Sequence, residues 1–238
     1  MKHLNLNQIR EFANNNIAIF QELKLKPLEN LNLNIILNNK NFYWYKANRI
    51  YSASDLIRKV FGDFLTSLEE HLFELFLKDL CVFISKKAYN GKKSSFNGID
   101  IEFENNNIYY LVSINSGFNP INNIQQKIDF QKAIKKVNKD GYNRNIKPVM
   151  GICFGKSNTE SCTGCTKIVG TDFWYFISEN NKLFTDIIDP LANTFYKDTE
   201  TLYNRRIQLE NKFTAQILNE YSSGGAIDWR KLVKSAEI

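Results

Sequence analysis

Asp100 and Glu102 alternate with Ile99, Ile101 and Phe103 in a short apolar run. Period-2 geometry predicts both carboxylates on one face of a strand. After Asn105-Asn106-Asn107 comes Ile108-Tyr109-Tyr110-Leu111-Val112-Ser113-Ile114, and the same alternation predicts Ser113 and Asn115 on one face of it. Carboxylates that converge can hold Mg2+, which takes oxygen ligands. Such a metal offsets charge at a phosphodiester and activates water for its hydrolysis. A lysine beside it would orient the water and stabilise the charged transition state. Further acids, Glu69, Glu70 and Glu74, stand upstream in an apolar-periodic segment. The plainer reading is that Asp100 and Glu102 are solvated residues on a hairpin, and the three Glu a polar helix face.

The elements that must position these groups are a hairpin and its helices. Ser52-Ala53-Ser54-Asp55 offers helix N-caps, and Leu56, Val60, Phe64, Leu68, Leu72, Leu75 and Phe76 recur at helical spacing. A helix over about 54–80 is predicted, with Gly62 a place to bend or split it. Asn90-Gly91 is a turn signal. After the hairpin, Ile124, Ile128, Phe130, Ile134 and Val137 predict a helix over about 122–138. Residues 149–155 read as a buried strand, 172–178 as a short helix, 182–195 as another, and 195–220 as an amphipathic helix. Ser222-Ser223-Gly224-Gly225 is a turn and Asp228 opens a final short helix. Residues 1–50 predict one helix, then strand or loop. Strands set between helices indicate an α/β or α+β fold. One domain over 1–238 is expected, with an extension (1–50), a core (52–155) and a helical C-terminal part (156–238).

Composition narrows the classes. With 238 residues and 43% hydrophobic residues, the chain can bury a core. It has no apolar stretch of about 18 residues and no signal-peptide run at Met1-Lys2-His3-Leu4-Asn5, so no membrane role is expected. Two histidines, His3 and His71, argue against His-based catalysis, and His71 reads as a packed helix residue. Four cysteines make no disulfide scaffold, which suggests a cytoplasmic location. Cys162-Thr163-Gly164-Cys165 has metal-knuckle spacing but lacks a second pair, so it reads as incidental loop rather than zinc or redox motif; Cys81 and Cys153 read as buried thiols. The net charge of +6 and pI of about 9.0 favour an anionic partner only mildly.

The ordered series from Gly91 to Gln125 resembles the active-site region of the PmeII-like type II restriction endonucleases, of the PD-(D/E)XK nuclease superfamily. It runs Gly91-Lys92-Lys93-Ser94-Ser95, Gly98-Ile99-Asp100-Ile101-Glu102-Phe103, Tyr110-Leu111-Val112-Ser113-Ile114-Asn115-Ser116-Gly117, then Asn119, Asn122 and Gln125. Gly170-Thr171-Asp172-Phe173-Trp174-Tyr175-Phe176-Ile177-Ser178, Asp186-Ile187-Ile188-Asp189-Pro190-Leu191, Asn211-Lys212-Phe213 and Ile227-Asp228-Trp229 are similar to the family's later segments. The resemblance covers roughly 50–235. It implies a central mixed sheet flanked by helices and Mg2+-dependent hydrolysis of double-stranded DNA at a specific site. It also implies a homodimer and a cognate DNA methyltransferase acting on the same site. Asp100 is the expected metal ligand. The second acid would be Glu102 or a helix residue, Glu70 before Glu74. Ser113 stands where the family commonly has Ser.

The family pattern places Lys at 115, where this chain has Asn. An amide carries no positive charge, so activity is expected to be weakened or abolished. The alternative reading is a catalytically inactive, sequence-specific DNA-binding protein derived from a nuclease; a protein unrelated to DNA is the third class. Lys92, Lys93, Ser94, Ser95, Asn119, Asn122 and Gln125 are the expected DNA contacts. The amides among them could read base edges or simply cap a loop. The stretch 127–147 holds seven Lys and Arg against Asp129 and Asp140, either as a solvated helix face or as a phosphate-contacting surface that Lys86 and Lys87 would extend. Trp174, Phe173, Tyr175 and Phe176 read as core.

Overall fold

In the computed structural model, which describes residues 5–117, 124–139, 145–192 and 199–235, the predicted N-cap forms. The Ser52 hydroxyl accepts the Asp55 N–H at 3.0 Å and donates to the Asp55 carboxylate at 2.7 Å. In chain order come α1 (Leu6–Glu29), α2 (Leu33–Leu37), α3 (Phe42–Ala47), α4 (Ala53–Tyr89), β1 (Lys92–Lys93), β2 (Ile101–Asn105) and β3 (Ile108–Asn115). Then follow α5 (Ile124–Lys139), β4 (Asn145–Ile152), β5 (Asn158–Cys162), β6 (Cys165–Val169), α6 (Thr171–Ser178), α7 (Leu183–Asp186) and α8 (Ile188–Leu191). The chain closes with α9 (Glu200–Glu220), β7 (Ser222–Ser223), β8 (Ala226–Ile227) and α10 (Trp229–Ser235).

Contacts gather the chain into two units, Met1–Asn16 with Phe73–Thr194 and Ile17–Leu72 with Phe195–Ile238. These cut across the expected segments 1–50, 52–155 and 156–238, because β5 and β6 complete the sheet that β2 and β3 begin. Among the described residues that sheet has six strands in the order β1-β2-β3-β4-β6-β5. The β1, β2 and β3 pairings are antiparallel, β3 with β4 and β4 with β6 are parallel, and β5 returns antiparallel. The fold is therefore mixed α/β, with a central mixed sheet flanked by helices, as predicted, and it is consistent with a restriction-endonuclease-like fold.

The β2–β3 turn falls at Asn106 and Asn107, both left-handed (φ 51° and 60°), a geometry whose twist matches antiparallel strands. On one face of the sheet α5 buries Phe130, Ala133 and Val137 with Ile99 and Leu111. Full burial of each large side chain contributes about 1.5–3 kcal/mol. On the other face Tyr89, at the end of α4, stacks on Phe103 at 4.7 Å, and Phe176 of α6 meets Phe103 and Tyr110. The Trp174 indole donates to the Cys153 carbonyl at 2.8 Å. Phe173, Trp174 and Phe176 are packed as expected, whereas Tyr175 faces solvent.

In the other unit, Leu28, Ile36, Leu56, Ile57, Val60, Phe61 and Phe213 form the core. The Arg205 guanidinium donates to the Leu28 and Glu29 carbonyls, which the end of α1 leaves without helical partners. Buried Lys24 pairs with Glu69 at 2.8 Å, so Glu69 has a structural partner.

Five expectations are corrected. After α1, residues 30–50 hold α2 and α3 rather than strand or loop, since Asn32 and Asn41 cap them by accepting the Ile35 and Trp44 N–H groups. The long helix ends at Tyr89, not near 80, because Leu77, Leu80, Cys81 and Ile84 continue its buried stripe. It also runs unbroken through Gly62. Over 182–195 the structure has two single turns, α7 and α8, rather than one helix. Finally, β5 and β6 were not predicted: Asn158 to Ser161 are exposed polar residues on an edge strand, which leaves no alternation to read.

The tightest packing constraint is at Gly151, where an added Cβ would fall 2.0 Å from Cε2 of Phe173. Gly151→Val should lower unfolding free energy by at least about 1–3 kcal/mol through overpacking, read by urea denaturation. Gly62→Ala, with open space around it, should instead stabilise by about 0.5–1 kcal/mol.

Candidate active site

Asp100 sits at a fault in the β2–β3 ladder. Its N–H donates to the Val112 carbonyl at 2.8 Å, yet Val112 is the register partner of Ile101. Two residues thus oppose one, as in a bulge, and the alternation slips. Asp100 Oδ2 accepts the Ile114 N–H at 2.6 Å, at the C-terminal end of β3 between Ser113 and Asn115. Oδ1 lies 3.7 Å from Nζ of Lys78 on α4, and that same Nζ lies 3.4 Å from Oε1 of Glu74, one turn earlier. All three side chains are about three-quarters buried, with relative exposures of 23%, 23% and 25%. Burial pushes the Asp100 carboxyl above its ordinary value; Lys78 and the Ile114 N–H pull it back, and Glu74 adds to the rise.

Glu102 is in a different place. Its Oε1 accepts from the Ser94 hydroxyl at 2.6 Å, and Oε2 from the Tyr109 hydroxyl at 2.5 Å and from Lys92 at 3.2 Å. Tyr109 belongs to the α5-facing cluster, while the neighbouring Phe103 faces α4 and α6. Asp100 and Glu102 therefore do not share a face, contrary to the period-2 expectation, and the bulge is the reason. Burial pushes the Glu102 carboxyl up, but hydrogen bonds from Ser94, Tyr109 and Lys92 outweigh it and hold the group below its ordinary value.

Ser113 and Asn115 are both buried on β3. The Asn115 side-chain oxygen accepts the Gly117 N–H at 2.8 Å, so the amide is turned into the loop after its own strand. Glu70 is exposed, and Glu74 is the helix acid that shares Lys78 with Asp100. Lys93 pairs with Asp79 at 2.9 Å, and Ser95 is exposed. Asn119 and Asn122 lie outside the described residues; Gln125 stands in the first turn of α5. Lys127, Lys132, Lys135, Lys136 and Lys147 are exposed. Cys162 and Cys165 are joined by a disulfide across the β5–β6 turn rather than lying in a loop. Cys81 and Cys153 are buried free thiols; burial raises the Cys81 thiol, helped by its hydrogen bond with Cys153 and the charge of Asp100.

Sequence reasoning missed Lys78 and Tyr109. The available signals were the Glu74–Lys78 spacing of four and the diagonal of Tyr109 to Glu102 across the hairpin. Among the described residues no group of three or more His, Cys, Asp or Glu side chains converges. Two carboxylates on one cation do converge, and Mg2+ is commonly held by one or two carboxylates with water and substrate phosphates. Carboxylate oxygens are the donor type such an ion takes, and in this structure both carboxylates meet the Lys78 ammonium.

The two carboxylates should titrate with opposite signs. A depressed carboxyl stabilises the fold above its unfolded value, and that contribution is lost as pH falls through the folded one. Tyr109→Phe should therefore cost about 1.5–3 kcal/mol at neutral pH and progressively less below the carboxylate range. The raised Asp100 carboxyl favours the fold at acid pH and loses that contribution as pH rises through its folded value. Asp100→Asn should therefore raise the melting temperature at pH 8 but not at pH 3. Thermal melts across pH check both.

Comparison with family models matches residues 7–199 to the type II restriction endonuclease EcoO109I family. Comparison with curated proteins gives no match at a significant level. Restriction endonucleases cleave DNA at specific sequences and typically use divalent metal ions. Among the described residues no helix is long and apolar enough to cross a membrane. With the match spanning most of the chain, and a mixed sheet that carries a carboxylate about three-quarters buried at the end of its central hairpin, this protein belongs to the EcoO109I family of type II restriction endonucleases.

Proposed function

We propose that the chain is a PmeII-like type II restriction endonuclease with a PD-(D/E)XK site, acting in the cytoplasm as a homodimer on double-stranded DNA. A cognate methyltransferase would protect the same site. The observation that carries the reading is that the Asp100 and Glu74 carboxylates both face the Lys78 ammonium beside the end of β3. Asp100 and Glu74 would hold Mg2+, which when bound supplies charge compensation and an acidified water at the phosphate. In the hydrolysis water adds to phosphorus, one P–O bond to the sugar breaks, and the departing oxygen takes a proton. Asp100 is oriented for this by the Ile114 N–H. Glu102, pinned by Ser94, Tyr109 and Lys92, fixes the loop that leads into Asp100. The exposed lysines of α5 would meet the phosphate backbone.

The second reading, a DNA-binding protein without catalysis, is favoured by Asn115, whose amide is uncharged and engaged with Gly117.

The test is incubation of unmethylated phage and plasmid DNA with Mg2+. Discrete fragments are expected, and Asp100→Ala should slow cutting by at least about 100-fold while duplex binding in Ca2+ persists. Ca2+ should also raise the melting temperature of the wild-type protein but not of Asp100→Ala. Duplex binding without cutting would select the second reading. No binding even at about 50 mM salt, where basic binders are strongest, would sink both.

A further inference from the structure

Granting that Asp100 marks a nuclease site, we infer that Lys78 supplies the catalytic positive charge that a lysine at position 115 would have supplied, so that the site is active despite Asn115. The two oxygens of one carboxylate mark both places. Oδ2 is bonded to the Ile114 N–H, next to residue 115, and Oδ1 faces Lys78 Nζ at 3.7 Å. The same Nζ lies 3.4 Å from Oε1 of Glu74, so the ammonium is shared by the two carboxylates. Its neighbours Leu77, Leu80 and Cys81 are buried, which fixes the rotation of α4 and hence the place where Nζ emerges. The side chain is 23% exposed, enough to meet a phosphate and little enough for its charge to act in a partly desolvated site. Asn115 cannot compete for the role, since its amide is uncharged and turned to Gly117. In the hydrolysis the ammonium would neutralise charge gathering on the phosphate oxygens, with no proton or electron lost from Lys78.

The experiment compares wild type, Lys78→Met, Asn115→Lys and the double variant, with Lys78→Gln as a second neutral form if the Met form melts early. Single-turnover cutting of unmethylated DNA in Mg2+ should fall by about 100-fold or more in Lys78→Met, with duplex binding in Ca2+ retained. Adding Asn115→Lys to Lys78→Met should restore the rate to within about 10-fold of wild type, a rescue that a merely structural lysine would not permit. Without DNA, Lys78→Met should bind Ca2+ several-fold more tightly by calorimetry, because the ammonium no longer opposes a cation at the carboxylates. Unchanged cutting in Lys78→Met, or cutting by Asn115→Lys alone while the wild type is silent, would overturn the role of Lys78 and leave the nuclease reading standing. Unchanged Ca2+ affinity would place Nζ away from the carboxylates and overturn it too. No cutting from any form, with no duplex binding, would remove the nuclease reading itself and this inference with it.

Discussion

A carboxylate taken largely out of water must be compensated, and the region around Asp100 is organised by that requirement. An isolated buried charge costs several kcal/mol even after relaxation. Compensation reaches Asp100 from separate elements: the Ile114 N–H of β3 on one oxygen and the Lys78 ammonium of α4 on the other. The bulge at the start of β2 lets the side chain take a position in the ladder that ordinary pairing would give to a backbone carbonyl. Glu74 brings a second negative charge to the same ammonium, which raises the cost and also raises the affinity for a cation. The balance is incomplete, and Asp100 remains harder to ionise than an ordinary aspartate. A carboxylate so perturbed, in contact with a specific charge partner, is a candidate for a functional site.

Two residues away, the same chemical group has the opposite fate. Glu102 is more deeply buried than Asp100, but its oxygens meet a hydroxyl from Ser94, a phenol from Tyr109 and an ammonium from Lys92. It is a satisfied structural anion that ties β1 and the following loop to the hairpin. That loop is also held at Gly98, whose φ of 89° and approach to the α5 backbone at Asp129 and Phe130 leave no room for a Cβ, which would fall 2.6 Å away. The loop leading into Asp100 is thus fastened at both ends, and the carboxylate at its end is positioned by rigid neighbours.

Much of this was legible in the chain. Local signals marked the Asn turn of the hairpin, the Ser52 cap, the amphipathic α5 and the final helix, because each depends on residues within a few positions of one another. The ordered resemblance around Asp100 led to the nuclease family, and the family match over residues 7–199 agrees with it. The β5–β6 hairpin was not legible, since an exposed edge strand is held by its ladder rather than by an apolar face. The extension of α4 to Tyr89 was missed because the helical recurrence was followed only to about residue 80, although Cys81 and Ile84 carry the same buried stripe on.

By itself, the sequence determined the α/β class and the elements with strong local signals, namely the long helix, the hairpin, α5 and the final helix, while the resemblance singled out Asp100. Only the tertiary structure decided which partners that acid has. Period-2 reasoning joined Asp100 to Glu102, but a single bulge reverses the face of everything before it, and a backbone hydrogen bond cannot be read from side-chain types. Glu74 and Lys78 stand more than twenty residues upstream of Asp100, so their meeting depends on how α4 rotates against the sheet. That rotation is set by the apolar residues beside them and not by the charges themselves.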